Sequence, residues 1–592
     1  MMRKIVFLLM LMISINSYAQ DWTTWYEKSG HLETADYDKT IAYCKQLADH
    51  SPWLQYTDFG TSPRGYDLPL LIADRQGRFS PEAVHASGNA ILLIQAGIHP
   101  GESEGRDAGM MLIRDIAIHN KYPDLLDHVS ILFIPIFNVD GDHRFGPNNR
   151  INQNGPKEMG WRVTARNLNL NRDYMKANAP EMQKWLGLFN TWLPDFLIDC
   201  HTTNGADYQY VLTYILEIHG NMDEGLTQWQ KEVFLPYVKK QMEAMNILIF
   251  PYVSFRSWHD PRSGLREWVG PPMLSHGYTA IQNRPGLLIE THMLKPYKPR
   301  VEATYEMIRS SLEILNKEYK SLKKLNRTAD ALTASADFRK KRLPVKFRVP
   351  DEQSVMLEFK GVAYDVDTSD LTGGPWIKYH SDQPKTYQLP LFTNNIPEIE
   401  VALPEAYIIP PEWSDVIERL ELHGVKIQRL KKPALIPVKS YKFRNCEWEQ
   451  KPYEGCQRLT KFDMHEIEEE RLFPAGSAIV DMNQRTARVI AHILEPEATD
   501  SYVFWGFFNT IFEQKEYSET YVMEKMAREM MKKDPALKER FKKYLEENPQ
   551  IKGNQWQMLN WFYMQSPYRD DRKDVYPVGK IYDRKLLRAY LP

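Results

Sequence analysis

Cysteine is scarce in this chain, four in 592 residues, and that scarcity excludes a small scaffold stapled by disulfides. Cys446 and Cys456 flank a turn-like segment with Pro452 and Gly455, where a pair could form in an oxidising compartment. Cys44 lies on an apparent helix and Cys200 inside an apolar strand, the ordinary setting of small buried thiols. Excess charge is missing too: 75 basic residues face 77 acidic ones, with no basic stripe, so nucleic acid is not an expected partner. Internal repeats and low-complexity tracts are absent, and 43% hydrophobic against 26% charged residues describes a folded chain. A second long apolar run is lacking as well. The single one, residues 5–15, stands behind Arg3 and Lys4 and ahead of the small residues Ser17 and Ala19. It reads as the core of a signal peptide, residues 1–19, being too short for a span and followed by none. Its removal takes two basic residues and leaves a net charge of -4. A secreted or periplasmic protein without a membrane span is expected, and no cysteine near the cleavage region offers a site for a lipid anchor.

What is present is organised around residues 91–111, ILLIQAGIHPGESEGRDAGMM. An apolar run of strand length passes through Gly97 and Pro100-Gly101 into a helical pattern (Ala108, Met111, Leu112, Ile116), the strand-loop-helix unit of an α/β sheet. Ligands in such sheets sit beyond the carboxyl ends of strands, where His99 and Glu102 fall. An imidazole and a carboxylate three residues apart suit zinc, although a loop histidine beside a helix-start carboxylate is the commoner meaning of that pair alone.

Further strands deliver similar residues. Residues 129–137 end in Asn138-Val-Asp-Gly141, residues 192–201 in His201, and residues 286–289 in Glu290-Thr-His292. Four strand ends carrying ligand-type side chains are poorly explained by coincidence. The polar stretch 142–176, rich in Asn, Gly and Arg, is long enough to be a functional loop. A helix is expected over 36–47, a turn and strand over 60–73, and a charged helix from 300 to about 332 closing a first domain. The length calls for two or three domains. The division expected is a catalytic α/β domain over 20–336, with a mixed, mostly parallel sheet and flanking helices. A linker over 337–346 (DFRKKRLPVK) then leads to a C-terminal accessory region, 347–592. That region is β-rich to about 500, with VMLEF, TYQLPLF, IEVALP, AIVDM and ARVIAHIL as strand candidates and a helical patch over 413–422, and helical over 518–548. FWGFFNTIF, 504–512, is too apolar for a surface loop and is expected in a core or against the first domain.

Taken together, His99, Glu102, His201, Glu290 and the string Trp161-Arg162 … Asn169-Leu170-Asn171-Arg172-Asp173 resemble the M14 zinc carboxypeptidases over about residues 36–315. The H-x-x-E motif is met by His99 and Glu102, and the third ligand by His201. The resemblance implies one zinc per chain, a general-base Glu290, Arg162 polarising the scissile carbonyl, and Asn171-Arg172 holding the terminal carboxylate of a peptide substrate. It implies a secreted bacterial metallocarboxypeptidase. The chemistry agrees. Two histidines and a carboxylate leave zinc an open position, and guanidinium groups bind carboxylates bidentately. Asp199 would point the same way along its strand as His201 and suits a supporting partner. Two departures stand out: Gly101 replaces an arginine that digestive members carry between the motif ligands, and no tyrosine clearly matches their mobile substrate cap, Tyr278 being nearest. The pocket region near Ser275 and His276 does not align, so the preferred terminal residue stays open. The rival expectations are a related zinc amide hydrolase or esterase acting on acylated amino acids or cell-wall peptides, and a non-enzymatic binding protein.

Overall fold

The computed structural model describes residues 20–203, 205–257 and 260–590, so the signal-peptide reading lies outside the described residues. An eight-stranded mixed sheet is the frame. Its strands are β1 (Leu54–Thr61), β2 (Asp67–Ala73), β3 (Ala90–Gln95), β4 (Val129–Ile134), β5 (Phe196–Thr203), β6 (Leu212–Leu216), β7 (Ile249–Pro251) and β8 (Gly286–His292), in the spatial order β1-β2-β4-β3-β5-β8-β6-β7. The central strands β4, β3, β5 and β8 run parallel. β3, β4 and β5 are buried along their whole length and β8 at all but Glu290, which is why they read as unbroken apolar runs rather than alternating ones.

From β3 the chain passes through a helix, Glu104–Ala117, to β4 on one side, and later returns as β5 on the other. The strand order therefore reverses at β3, and the crevice outside the carboxyl end of such a switch strand is where α/β sheets bind ligands. His99 stands there.

Successive residues of the central strands face opposite layers. Leu92, Ile94, Phe133 and Ile198 pack with Leu112 and Ile116 of the helix after β3 and with Ile308 and Leu312 of the helix Tyr297–Thr333. Ile91, Leu93, Leu132, Ile134 and Leu197 pack with Trp185 and Phe189 of the helix Pro180–Trp192. This second layer continues into the C-terminal region, where Tyr407, Ile409, Ile490, Tyr502 and Phe508 belong to the same core. The two regions share apolar contacts instead of hanging on a tether.

The expected linker is structured. Residues Ala336–Lys340 form a helical turn and Arg342–Arg348 a strand paired antiparallel with Ile396–Ala402. Leu343 and Val345 are buried between charged neighbours, a two-residue alternation hidden inside a basic run. ARVIAHIL is a helix, Ala487–Leu494, not a strand. All but Arg488 of it is buried, and a segment of eight residues is of a length that either a strand or a helix can take. The rest of the C-terminal region is β-rich, with a long hairpin of Val355–Thr368 and Pro375–Phe392 and a six-stranded sheet, and then helical. Thr520–Lys533 and Pro535–Glu547 are separate helices because Pro535 starts the second. Trp505 and Phe508 are buried, as a core position for 504–512 requires, and all four cysteines are free thiols. No helix among the described residues is long and apolar enough to cross a membrane.

Candidate active site

The structure brings His99 and Glu102, both from the loop between β3 and the helix Glu104–Ala117, together with His201, from the end of β5. One nitrogen or oxygen from each lies within 4.8 Å of the others, and all three residues are buried. Asn169 determines the state of His99. Asn169 Oδ1 accepts the Asn171 N–H at 3.0 Å, so it is the amide oxygen, and His99 Nε2 at 2.9 Å must donate to it. That leaves His99 Nδ1 as a lone pair. Nδ1 is buried without a hydrogen-bond partner, 3.1 Å from Glu102 Oε1, itself an acceptor. Two acceptors held this close need a cation between them. Burial agrees, pushing His99 down to about 4 and so keeping the imidazole neutral.

His201 faces two carboxylates. Its Nε2 lies 2.8 Å from Asp199 Oδ2 and its Nδ1 3.0 Å from Glu102 Oε2. Burial alone would lower its pKa, but Asp199 and Glu102 raise it well above the usual value, so the pocket favours positive charge. A metal ion on Nδ1 would take the place of that proton, with Asp199 fixing the ring through Nε2–H. Asp199 is in turn held by Ser275 Oγ at 2.6 Å. Glu102 is also held by the Thr202 N–H at 3.0 Å, and against burial Arg150 and the hydrogen bond with His201 keep it ionised. The donor set, two imidazole nitrogens and one carboxylate oriented by outer partners, therefore fits zinc.

Glu290 lines the same cleft of about 670 Å³ from the end of β8, as do Arg162, Asn171 and Arg172. Loss of water around the half-buried Glu290 at the cleft wall pushes it up to about 8, with His201 pulling it down and Glu102 and Asp199 adding to the rise. Burial also lowers the Arg162 pKa, with Arg150 and Arg172 adding repulsion and Glu102 opposing them. Arg162 lies 3.3 Å and Arg150 2.9 Å from Glu102 Oε1. Arg172 donates to Asn171 O at 2.6 Å and has no ion pair among the described residues.

Three residues at this site were not singled out in the sequence. Asn169 links His99 to the Asn171-Arg172 turn, and its place in the loop string was the only hint of it. Arg150 comes from the long loop, and its Cγ would be 2.8 Å from a Cβ added at Gly101, so the arginine fills the space a side chain at 101 would take. Tyr252 lines the cleft, where no sequence signal pointed to it. Tyr278 is not a cap: it is fully buried, with its hydroxyl 2.9 Å from His423 Nδ1. His276 borders the cleft and an adjoining small pocket lined by Ile215, Tyr252, Trp268 and Leu274.

A family model described as zinc carboxypeptidase matches residues 40–188, which include His99, Glu102, Arg162, Asn171 and Arg172. The chain is similar to "Carboxypeptidase 2" of Trichophyton rubrum, 23% identical over 493 residues that cover 79% of this chain and 83% of the relative. It is similar at 22% to "Probable carboxypeptidase 2" of Arthroderma benhamiae, over 78% of this chain and 84% of the relative. These curated relatives are fungal and lend no weight to a bacterial origin. Among solved structures, a putative carboxypeptidase A from Shewanella denitrificans is 16% identical over 48% of this chain and 69% of its own, with a TM-score of 0.36.

Proposed function

We propose that this chain is a secreted zinc metallocarboxypeptidase that removes the C-terminal residue of peptides. It is a peptide-bond hydrolase and zinc is its cofactor, a reading supported by the zinc carboxypeptidase match together with the His99, Glu102 and His201 cluster. Held by those three residues, zinc would supply a Lewis acid that polarises a carbonyl and acidifies a water molecule. Glu290 takes the proton from the attacking water and passes it to the departing amine, leaving a free amino acid and a peptide shorter by one residue. Arg162 donates to the carbonyl oxygen as it gains negative charge. Asn171 and Arg172 hold the substrate's terminal carboxylate and so set which peptide bond lies between Arg162 and Glu290.

The observation that carries the choice of an exopeptidase is Arg172, a cleft guanidinium with no ion-pair partner among the described residues. Such a group is matched by a ligand's carboxylate. The test is an assay of one peptide as free acid and as C-terminal amide, with products identified by mass. Release of single terminal residues from the free acid is expected. Equal cleavage of both, or internal fragments, would move the assignment to the broader class of zinc amide hydrolases and esterases.

A further inference from the structure

Glu454 carries the C-terminal region to Asn169, the residue that holds the His99 imidazole. It sits at the tip of a tight turn closed by two backbone hydrogen bonds between Tyr453 and Cys456, each 3.0 Å. Glu454 and Gly455 have φ of 50° and 73°. Two successive residues with positive φ make the turn that suits the twist of a hairpin, and such positions favour glycine or asparagine over glutamate. The glutamate side chain nevertheless has a task across the regional boundary: its Oε2 accepts the Asn169 N–H at 2.8 Å. Asn169 is buried, and its Oδ1 in turn takes both the His99 Nε2–H and the Asn171 N–H. The turn is seated by its neighbours. Asn178 Nδ2 lies 3.4 Å from Cys456 Sγ, and the Arg458 guanidinium stacks 4.2 Å from the Tyr453 ring.

We propose that Glu454 is a positioning residue of the catalytic site, and that the C-terminal region serves through it to complete that site. One carboxylate fixes the backbone of Asn169. Asn169 then holds, with one oxygen, the imidazole that presents Nδ1 to zinc and the turn that presents Arg172 to substrate. This rests on the zinc carboxypeptidase reading.

The positive φ supplies a test that separates positioning from stability. Glu454→Gly removes the carboxylate while relieving the backbone, and that relief offsets the stability lost with the Asn169 hydrogen bond, so the metal-free protein should unfold close to the wild-type temperature. Zinc affinity of the full-length chain, measured by competition with a chromophoric chelator, should nevertheless weaken about tenfold, the low end of what an outer partner of a ligand contributes. The kcat/KM on a free-acid peptide should fall with it, KM rising because the Arg172 turn loosens. Glu454→Gln keeps an oxygen that can accept the Asn169 N–H and should return zinc affinity to within about twofold of wild type. Wild-type zinc affinity in Glu454→Gly overturns the proposal. So does a loss of affinity that tracks a falling unfolding temperature and is not reversed in Glu454→Gln. A wild-type chain that binds zinc but cleaves no peptide would instead defeat the carboxypeptidase reading, leaving the zinc-affinity comparison intact.

Discussion

His201 and Glu290 are register partners across the parallel strands β5 and β8. Their side chains therefore leave the sheet on the same face, one strand spacing of about 4.8 Å apart. A candidate metal ligand and a candidate proton acceptor are thus held side by side by backbone hydrogen bonds, not by a loop.

Replacing His201 with Ala removes an inward-facing nitrogen and leaves Asp199 and Glu102 without their shared partner. Zinc content by atomic absorption should fall from about one per chain to near zero, with activity lost in parallel. Full zinc occupancy in this variant would remove His201 from the ligand set.

In Glu290→Gln the shape of the strand end is kept while the proton acceptor is lost. Turnover should drop by at least about 10²-fold with zinc content and KM little changed. Near-normal kcat would assign proton transfer to another group.

The same residue should set a pH limb. As the proposed base Glu290 would act only when ionised, and burial lifts it from 4.5 to about 8 in the metal-free site, aided by Glu102 and Asp199 and opposed by His201. A bound cation lowers it again. The kcat/KM of the zinc enzyme should therefore decline as pH falls through a value above 4.5 and below about 8. A profile flat across that window would show that Glu290 does not control the step.

Arg172→Ala should cost the free-acid peptide most of its kcat/KM while barely affecting the amidated twin, so the ratio between them narrows toward one. The two ratios, wild type and variant, are measured with the same pair of peptides. An unchanged ratio would place carboxylate recognition elsewhere in the cleft.

Gly105 lies where the helix after β3 crosses β5, and a Cβ there would stand 2.3 Å from Cys200 Cβ. Gly105→Ala must push apart the elements carrying Glu102 and His201. Destabilisation of about 1–3 kcal/mol in chemical denaturation is expected, with weakened zinc binding. Unaltered stability would mean the packing relaxes without moving β5.

The fold of the first region was legible because its parallel strands are buried on both faces: ILLI, SILFIPIF and DFLIDC are strand-length apolar runs, each ending in a polar residue. The C-terminal region was harder to read. The strand Arg342–Arg348 hides two buried residues in a basic run, and ARVIAHIL, buried at every position but one, is short enough to be either form, with only Arg488 and His492 to mark a helical face.

For the site, spacing alone pointed to His99 and Glu102, and strand ends to His201 and Glu290, since local chemistry and the direction of parallel strands are written along the chain. Tertiary structure alone decided which nitrogen of His99 is free, because Asn169 lies 70 residues away. It also brought Arg150 into the space above Gly101 and Glu454 onto Asn169, a contact 285 residues apart in sequence. Hydrogen bonds of that separation leave no local pattern in a sequence. They exist only once the sheet has placed its strand ends and the C-terminal core has closed against it.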